Sequence, residues 1–115
     1  MEKRNKFVVL YDSCFTPDFR FGKVEHHKDL VNDGEERNVL GGGMFSVDLP
    51  NKEIIMFGSS ADYGNVNNLA ILVCNFKKRV LFGVRHFYWE QTGTDVNMDR
   101  FNVVVKDMQG GQVKF

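Results

Sequence analysis

The sequence predicts an α/β protein of the α+β type, in which a single mixed β-sheet is flanked by about two helices. Three patterns carry this prediction. Residues 6–11 form an unbroken run of β-branched and aromatic side chains, as in a strand buried on both faces. Residues 44–57 contain two apolar stretches joined by a turn at Pro50. Apolar residues from Val66 to Val80 follow one face of a helix.

The totals describe one globular domain, residues 1–115, with 43% hydrophobic and 26% charged residues. Fifteen basic and fifteen acidic side chains cancel, which argues against nucleic-acid or membrane-surface binding because both require excess positive charge. No window approaches the roughly 20 apolar residues of a membrane span. Cys14 and Cys74 lack zinc-ligand spacing. We therefore expect a cytoplasmic monomer with reduced thiols and without a metal or other cofactor.

The first half of the chain begins with the strand at residues 6–11, which we expect near the centre of the sheet. Residues 12–22 include Pro17 and Gly22 and are predicted to be a connection. A short helix is predicted over residues 23–32, because apolar positions recur there at helical spacing. In that helix His27 would lie on or beside the apolar face, and His26 would point about 100° away.

The middle of the chain is predicted to be a glycine-rich strand start at residues 41–43, followed by the hairpin over residues 44–57. A helix is favoured over residues 65–79, because its Asn-rich beginning suits an N-terminal turn and its basic end suits a C-terminal one. Residues 69–76 alone would also fit a buried strand.

The last part of the chain is predicted to contain three strands. We expect the first at residues 80–90, followed by a turn at residues 91–95. The second is predicted at residues 101–105, and a short edge strand at residues 112–115.

His27 is the first candidate for chemistry. Its ordinary pKa of about 6.5 allows it to accept a proton or attack phosphorus near neutral pH. A histidine in apolar surroundings can equally be a packed structural residue, and the adjacent His26 competes for a catalytic role.

Two backbone features could hold an anion. Glycines 41–43 are either a bulge in a strand or a place where another segment approaches the main chain closely. Residues 59–64 form a Ser- and Gly-rich loop between a strand and a predicted helix, where free N–H groups and the helix dipole can bind phosphate. An ordinary capping loop is the alternative, with Asp62 facing outward or capping the helix. Lys6, Arg20 and Lys23 are the nearby cations.

These motifs resemble the janus/ocnus family, which includes the small phosphohistidine phosphatases. The similarity runs from about Lys6 to Glu90. The motifs that carry it are Glu25-His26-His27-Lys28-Asp29, Leu40-Gly41-Gly42-Gly43, Lys52-Glu53-Ile54-Ile55 and the loop Gly58-x-Ser60-x-x-Tyr63-Gly64.

The resemblance implies a metal-independent phosphatase acting on phosphohistidine, or on phospholysine, in a protein substrate. It implies that His27 is the catalytic residue, as nucleophile or general base. Phosphate binding would fall to Lys6, Arg20, Ser60 and the main-chain N–H groups of Ala61 and Asp62.

This sequence departs from the family pattern at two positions. Met44 stands where the phosphatases have an arginine after the three glycines, and Ser59 stands where they have a tyrosine. The first departure removes positive charge, so the alternative is a weakly active or inactive relative that binds a phosphorylated or anionic partner.

Overall fold

The computed structural model describes residues 2–107 and 109–115 of the predicted domain. This part of the chain forms six strands and one long helix. The strands are β1 Arg4–Tyr11, β2 Pro17–Val24, β3 Val39–Asp48, β4 Glu53–Phe57, β5 Asn102–Lys106 and β6 Gln112–Lys114, and the helix is α1 Leu69–Thr92.

All six strands belong to one sheet, in the order β2-β1-β3-β4-β5-β6. Only β4 and β5 run parallel, and every other pair is antiparallel. The predicted α/β class with a mixed sheet is confirmed. The expectation of about two helices is slightly off, because the described residues contain one α-helix and two 3₁₀ turns, His27–Leu30 and Glu36–Asn38.

The strands predicted from the strongest patterns are confirmed. β1 lies one strand in from the edge, and its residues Phe7 to Leu10 are at most 2% exposed. In the hairpin, β3 and β4 pair from Met44 opposite Phe57 to Asp48 opposite Glu53. β5 and β6 lie within a residue of their predicted positions and complete the sheet.

The connection predicted for residues 12–22 is wrong, because Pro17 to Val24 form the edge strand β2. Phe19 and Phe21 alternate with polar or small residues and pack into the core, which is the period of two expected for a strand with one buried face. Pro17 is tolerated because it is the first residue of an edge strand.

The helix predicted for residues 23–32 is also wrong. Val24 still belongs to the sheet, opposite Arg4, and only His27–Leu30 turn as a 3₁₀ helix. Pairing with β1 has overridden the local helical spacing in this segment. The glycines 41–43 lie inside β3 and pair with residues 7–9 of β1, so they do not precede a strand as expected.

The helix predicted after residue 65 is confirmed in type, but it begins at Leu69 and continues to Thr92. The separate strand predicted at residues 80–90 is therefore wrong. Val80, Val84 and Phe87 are buried at helical spacing and extend the apolar stripe of the first turns. The helix is kinked at Phe76, whose φ of −128° and ψ of 33° are not helical, so α1 consists of two helical segments.

The other side of α1 faces away from the core. Phe82 and Trp89 were expected in a strand but are 75% and 50% exposed. The helix ends at Gly93, which has a left-handed φ of 74° and donates its N–H to the carbonyl of Trp89 at 2.8 Å.

Aromatic rings connect the sheet to the helix. Phe7, Phe21, Phe45 and Phe87 follow one another with centroid separations of 6.3, 5.0 and 4.9 Å, the last two pairs edge-to-face. Large rings bury much apolar area in a small domain, which explains the Phe-rich composition. Across the described residues, α1 included, no helix combines the length and apolar character needed to span a bilayer.

Candidate functional site around His27

The His27 side chain is held against the backbone of β3. It is only 5% exposed, and its Nε2 lies 2.7 Å from the carbonyl oxygen of Gly43. A carbonyl oxygen can only accept a hydrogen bond, so Nε2 carries the proton and donates it. In the neutral ring, the lone pair is therefore on Nδ1.

Nδ1 of His27 makes no hydrogen bond with any residue that the structure describes. In the same part of the chain, every fully buried side-chain nitrogen or oxygen of a residue that is not exposed has a hydrogen-bond partner. It follows that Nδ1 reaches the protein surface. His27 is thus a packed, almost fully buried residue whose Nδ1 is not used by a hydrogen bond to a described residue.

Several neighbouring groups change the pKa of His27. Burial lowers the pKa of the ring below its ordinary value of 6.5, and the charge of Lys6 lowers it further. The hydrogen bond to Gly43 and the Asp62 carboxylate act in the opposite direction without cancelling the effect of burial. At pH 7 the ring is neutral, and the Nδ1 lone pair is available.

Gly42 explains why glycine occupies the strand beneath the histidine. A Cβ atom at this position would lie 2.5 Å from the carbonyl oxygen of Phe7 and 3.0 Å from Cδ2 of His27. Any larger residue would push the ring or the neighbouring strand away. Of the two explanations that the sequence left open for the glycines, close approach of another segment describes Gly42.

The loop that contains Ser60 is closed by two backbone hydrogen bonds with Gly64, of 3.2 and 2.8 Å. Ser60 is 4% exposed, and its Oγ accepts the N–H groups of Asp62 and Tyr63, both at 3.1 Å. The N–H of Ala61 donates to no described residue. Of the two N–H groups predicted to bind phosphate, that of Ala61 is open, whereas that of Asp62 already has a partner.

Two contacts fix this loop beside His27. The carbonyl oxygen of Gly64 accepts the N–H of Gly42 at 3.0 Å. The Asp62 carboxylate accepts the N–H of Lys28 at 3.3 Å. Asp62 was expected to face outward or to cap the helix; it is exposed, and its carboxylate joins the loop to the 3₁₀ turn and does not cap α1.

The dipole of the helix after the loop was expected to help bind phosphate, and this expectation is wrong. α1 begins at Leu69, five residues beyond the end of the loop at Gly64, whereas the field of a helix terminus is confined to its first turn. Positive charge at the site therefore has to come from side chains.

Lys6 supplies such a charge. Its Nζ donates a hydrogen bond to the carbonyl oxygen of Glu25 and forms no ion pair with a described residue. Its partner Glu25 is two residues before His27, and the charge of Lys6 lowers the His27 pKa. Met44 lies directly opposite Lys6 in the β1–β3 pair, so no second cation stands at the position of the family's arginine.

The structure does not bring Arg20 to this cluster. Its guanidinium makes two hydrogen bonds of 2.7 Å to the Glu35 carboxylate and one of 3.0 Å to the carbonyl of Leu30. Glu35 in turn has a pKa lowered to about 2, mainly by its hydrogen bonds with Arg20. Arg20 thus anchors the end of the 3₁₀ turn that carries His27.

The other two histidines lie elsewhere. His26 is partly exposed, with Nε2 3.5 Å from the Glu25 carboxylate. His86 lies on α1, where its Nε2 is 2.5 Å from the Glu90 carboxylate. Neither ring makes a hydrogen bond or an ion pair with the described residues of the Ser60 loop.

Three partners in this site escaped sequence reasoning: the carbonyls of Gly43 and Glu25 and the contact of Asp62 with Lys28. A main-chain carbonyl carries no residue-type signal, and only the run of glycines indicated that a side chain could approach the backbone of β3. Among the described residues no three His, Cys, Asp or Glu side chains are grouped so that they could hold a metal ion.

Comparison with protein-family models, with curated proteins and with solved structures found no match to this chain. The resemblance to the janus/ocnus family therefore remains a prediction from the motifs.

Proposed function

We propose that the protein is a metal-independent phosphatase that hydrolyses phosphohistidine in proteins, with phospholysine as the alternative substrate. One observation carries the proposal. The bond from Nε2 of His27 to the Gly43 carbonyl leaves a neutral lone pair on a surface-accessible Nδ1, beside the positive charge of Lys6. A basic nitrogen next to a cation is what transfer of a phosphoryl group requires.

The chemistry has two routes. In the first, Nδ1 of His27 attacks phosphorus, the substrate P–N bond breaks, and the departing imidazole takes a proton from solvent. Water then hydrolyses the phosphoryl group on His27 and releases phosphate. In the second, Nδ1 removes a proton from the water that attacks phosphorus directly, the P–N bond breaks, and the departing imidazole takes up a proton while phosphate is released.

The neighbouring groups are assigned to phosphate binding. Lys6 supplies the charge that offsets the phosphoryl oxygens. The N–H of Ala61 and the hydroxyl of Ser60 are the donors that the loop offers, because the N–H of Asp62 is bonded to Ser60 Oγ. Arg20 acts as a positioning residue through its bond to the Leu30 carbonyl at the end of the 3₁₀ turn.

The test is release of inorganic phosphate from a phosphohistidine-bearing protein by the wild type and by the matched variants His27→Ala and His26→Ala. We expect His27→Ala to lose about 10²-fold to 10⁴-fold of the activity, His26→Ala to retain it, and a chelator to leave the wild-type rate unchanged. Equal loss in both variants would contradict the assignment. Trapping of a phosphorylated His27 by rapid quenching supports the nucleophilic route.

A second function is favoured by the charge around Lys6. Met44 contributes no cation, and the Asp62 carboxylate adds a negative group close to His27. With less positive charge to offset the transition state, such a site would turn a phosphorylated partner over slowly or not at all, while Lys6 still supplies one charge for binding its phosphate. Binding of a phosphopeptide without phosphate release, weakened by Lys6→Gln, would establish this alternative.

A further inference from the structure

One side of the sheet is not covered by α1. Phe45, Ile54 and Met56 point toward α1 and belong to the core cluster. Because successive side chains of a strand alternate between faces, Met44, Ile55 and Phe57 point to the other side. Lys6, Met44 and Phe57 are direct cross-strand neighbours. We call Lys6, Met44, Ile55 and Phe57 the open face.

The open face is less covered than the rest of this side of the sheet, where Val8, Leu10 and Val104 are at most 3% exposed. The 3₁₀ turn His27–Leu30 packs on this side against β1 and β2. Over β3 and β4, the side chains of Met44, Ile55 and Phe57 remain partly exposed. Three neighbouring apolar side chains in contact with water are suited to binding another apolar group.

The open face is continuous with the His27 site. The His27 ring lies over Gly42, and Met44 is two residues further along the same face of β3. Two residues of strand span about 7 Å, and Phe57 lies about 5 Å across from Met44. In an extended bound segment whose phosphorylated side chain lies at His27, the residue two positions along that segment would therefore contact Met44 and Phe57.

The charges around this face favour an anionic occupant. Arg4 lies on β1 two residues from Lys6, and its only ion pair among the described residues is a surface contact of 3.8 Å with Glu2. Lys106 is the last residue of β5, on the same side, and forms no ion pair with a described residue. The carboxylates of Glu53 and Asp48 also belong to this side: that of Glu53 is neutralised by Lys114 at 2.6 Å, and that of Asp48 accepts hydrogen bonds from Asn51.

We propose that the open face binds the protein part of the substrate. The open face holds an extended segment of the substrate, in which an apolar residue lies two positions from the phosphorylated residue. This inference rests on the proposed function and narrows the substrate class to proteins or peptides with that pattern, as opposed to free phosphohistidine. Met44 then acts as a specificity residue in place of a phosphate-binding arginine.

The experiment compares two phosphohistidine peptides that differ only in having Leu or Ser two residues from the phosphohistidine. We expect the wild type to favour the Leu peptide by about tenfold in kcat/KM, the effect of partly burying one Leu side chain. The preference should fall toward unity in Ile55→Ser and Phe57→Gln. The control Phe82→Gln removes an equally large exposed ring from α1 and should preserve it.

The wild-type comparison stands even where a variant fails to fold. Equal kcat/KM for the two peptides, or a preference that survives both substitutions in folded protein, would overturn the inference. Hydrolysis of phosphoramidate tests the proposed function separately. If no substrate is turned over, the preference is measured as the ratio of Kd values for the Leu and Ser peptides, each carrying a non-hydrolysable phosphohistidine analogue. A tenfold ratio without turnover would contradict the proposed function and support the docking site, and a ratio of one would contradict the docking site.

Discussion

The two faces of the sheet differ in what their side chains contact. On the α1 side, Phe45, Ile54 and Met56 are at most 3% exposed and contact other apolar side chains. On the open face, Met44 and Phe57 stay partly exposed, and the His27 ring is hydrogen-bonded to the carbonyl of Gly43, which precedes Met44. The α1 side therefore holds the hydrophobic core cluster, whereas the other side keeps polar groups near an accessible surface.

The largest effect should come from the covered face. Phe45→Ala removes a ring that contacts both Phe21 and Phe87 and should lower the free energy of unfolding by about 3–5 kcal/mol. Phe57→Ala, on the partly exposed face, should cost about 1 kcal/mol. Urea denaturation of both variants measures the contrast, and equal losses would contradict the division between the faces.

A smaller effect is expected from the glycine beneath His27. In Gly42→Ala the new Cβ meets the Phe7 backbone at 2.5 Å, which cannot move without shifting β1. We expect a loss of about 1–3 kcal/mol and a displaced His27 ring. Gly22→Ala is the matched control, because its Cβ would clash with Cδ2 of the Leu30 side chain, at 2.6 Å, which can rotate away, and its other neighbours are side-chain atoms at 3.6 Å or more. Thermal unfolding and the His27 NMR signals provide the comparison.

The Arg20–Glu35 pair should give stability that depends on pH. The pKa of Glu35 is lowered to about 2 in the folded protein from 4.5, so its contribution is complete above pH 4.5 and is lost as the pH falls toward 2. Glu35→Gln should lower the melting temperature by a few degrees at pH 7 and by progressively less toward pH 2. An undiminished difference at pH 2 would show that the charge is not responsible.

The smallest effect concerns the titration of His27. Its pKa in the folded protein lies below 6.5, mainly because the ring is buried. Protonating the ring therefore lowers the free energy of unfolding. The contribution that the neutral ring makes to stability is complete above pH 6.5 and declines as the pH falls through the pKa of the folded protein. Removing the charge of Lys6 in Lys6→Gln should raise this pKa, and removing the carboxylate in Asp62→Asn should lower it. Titration by NMR gives both directions, and shifts of the opposite sign would show that the neighbours are misassigned.

Local patterns were sufficient for some elements and failed for others. The β1 run and the hairpin over residues 44–57 were predicted correctly, because their apolar alternation and turn residues agree with the sheet that they join. Residues 17–24 and 80–90 were interpreted wrongly, since each pattern fits two structures locally. The neighbours decided between them: β1 pairs with the first segment, and the core-facing side of the sheet packs against the second as part of α1.

The candidate site divides in the same way. Residue types alone indicated a histidine, a lysine, a glycine run and a serine loop, because these carry recognisable chemistry. Which nitrogen of His27 is free, where Asp62 points and why Arg20 is occupied depend on contacts with Gly43, Lys28 and Glu35. Those partners are 15 to 34 residues away in the chain, and a hydrogen bond to a distant carbonyl or carboxylate exists only once the strands have brought the two groups together.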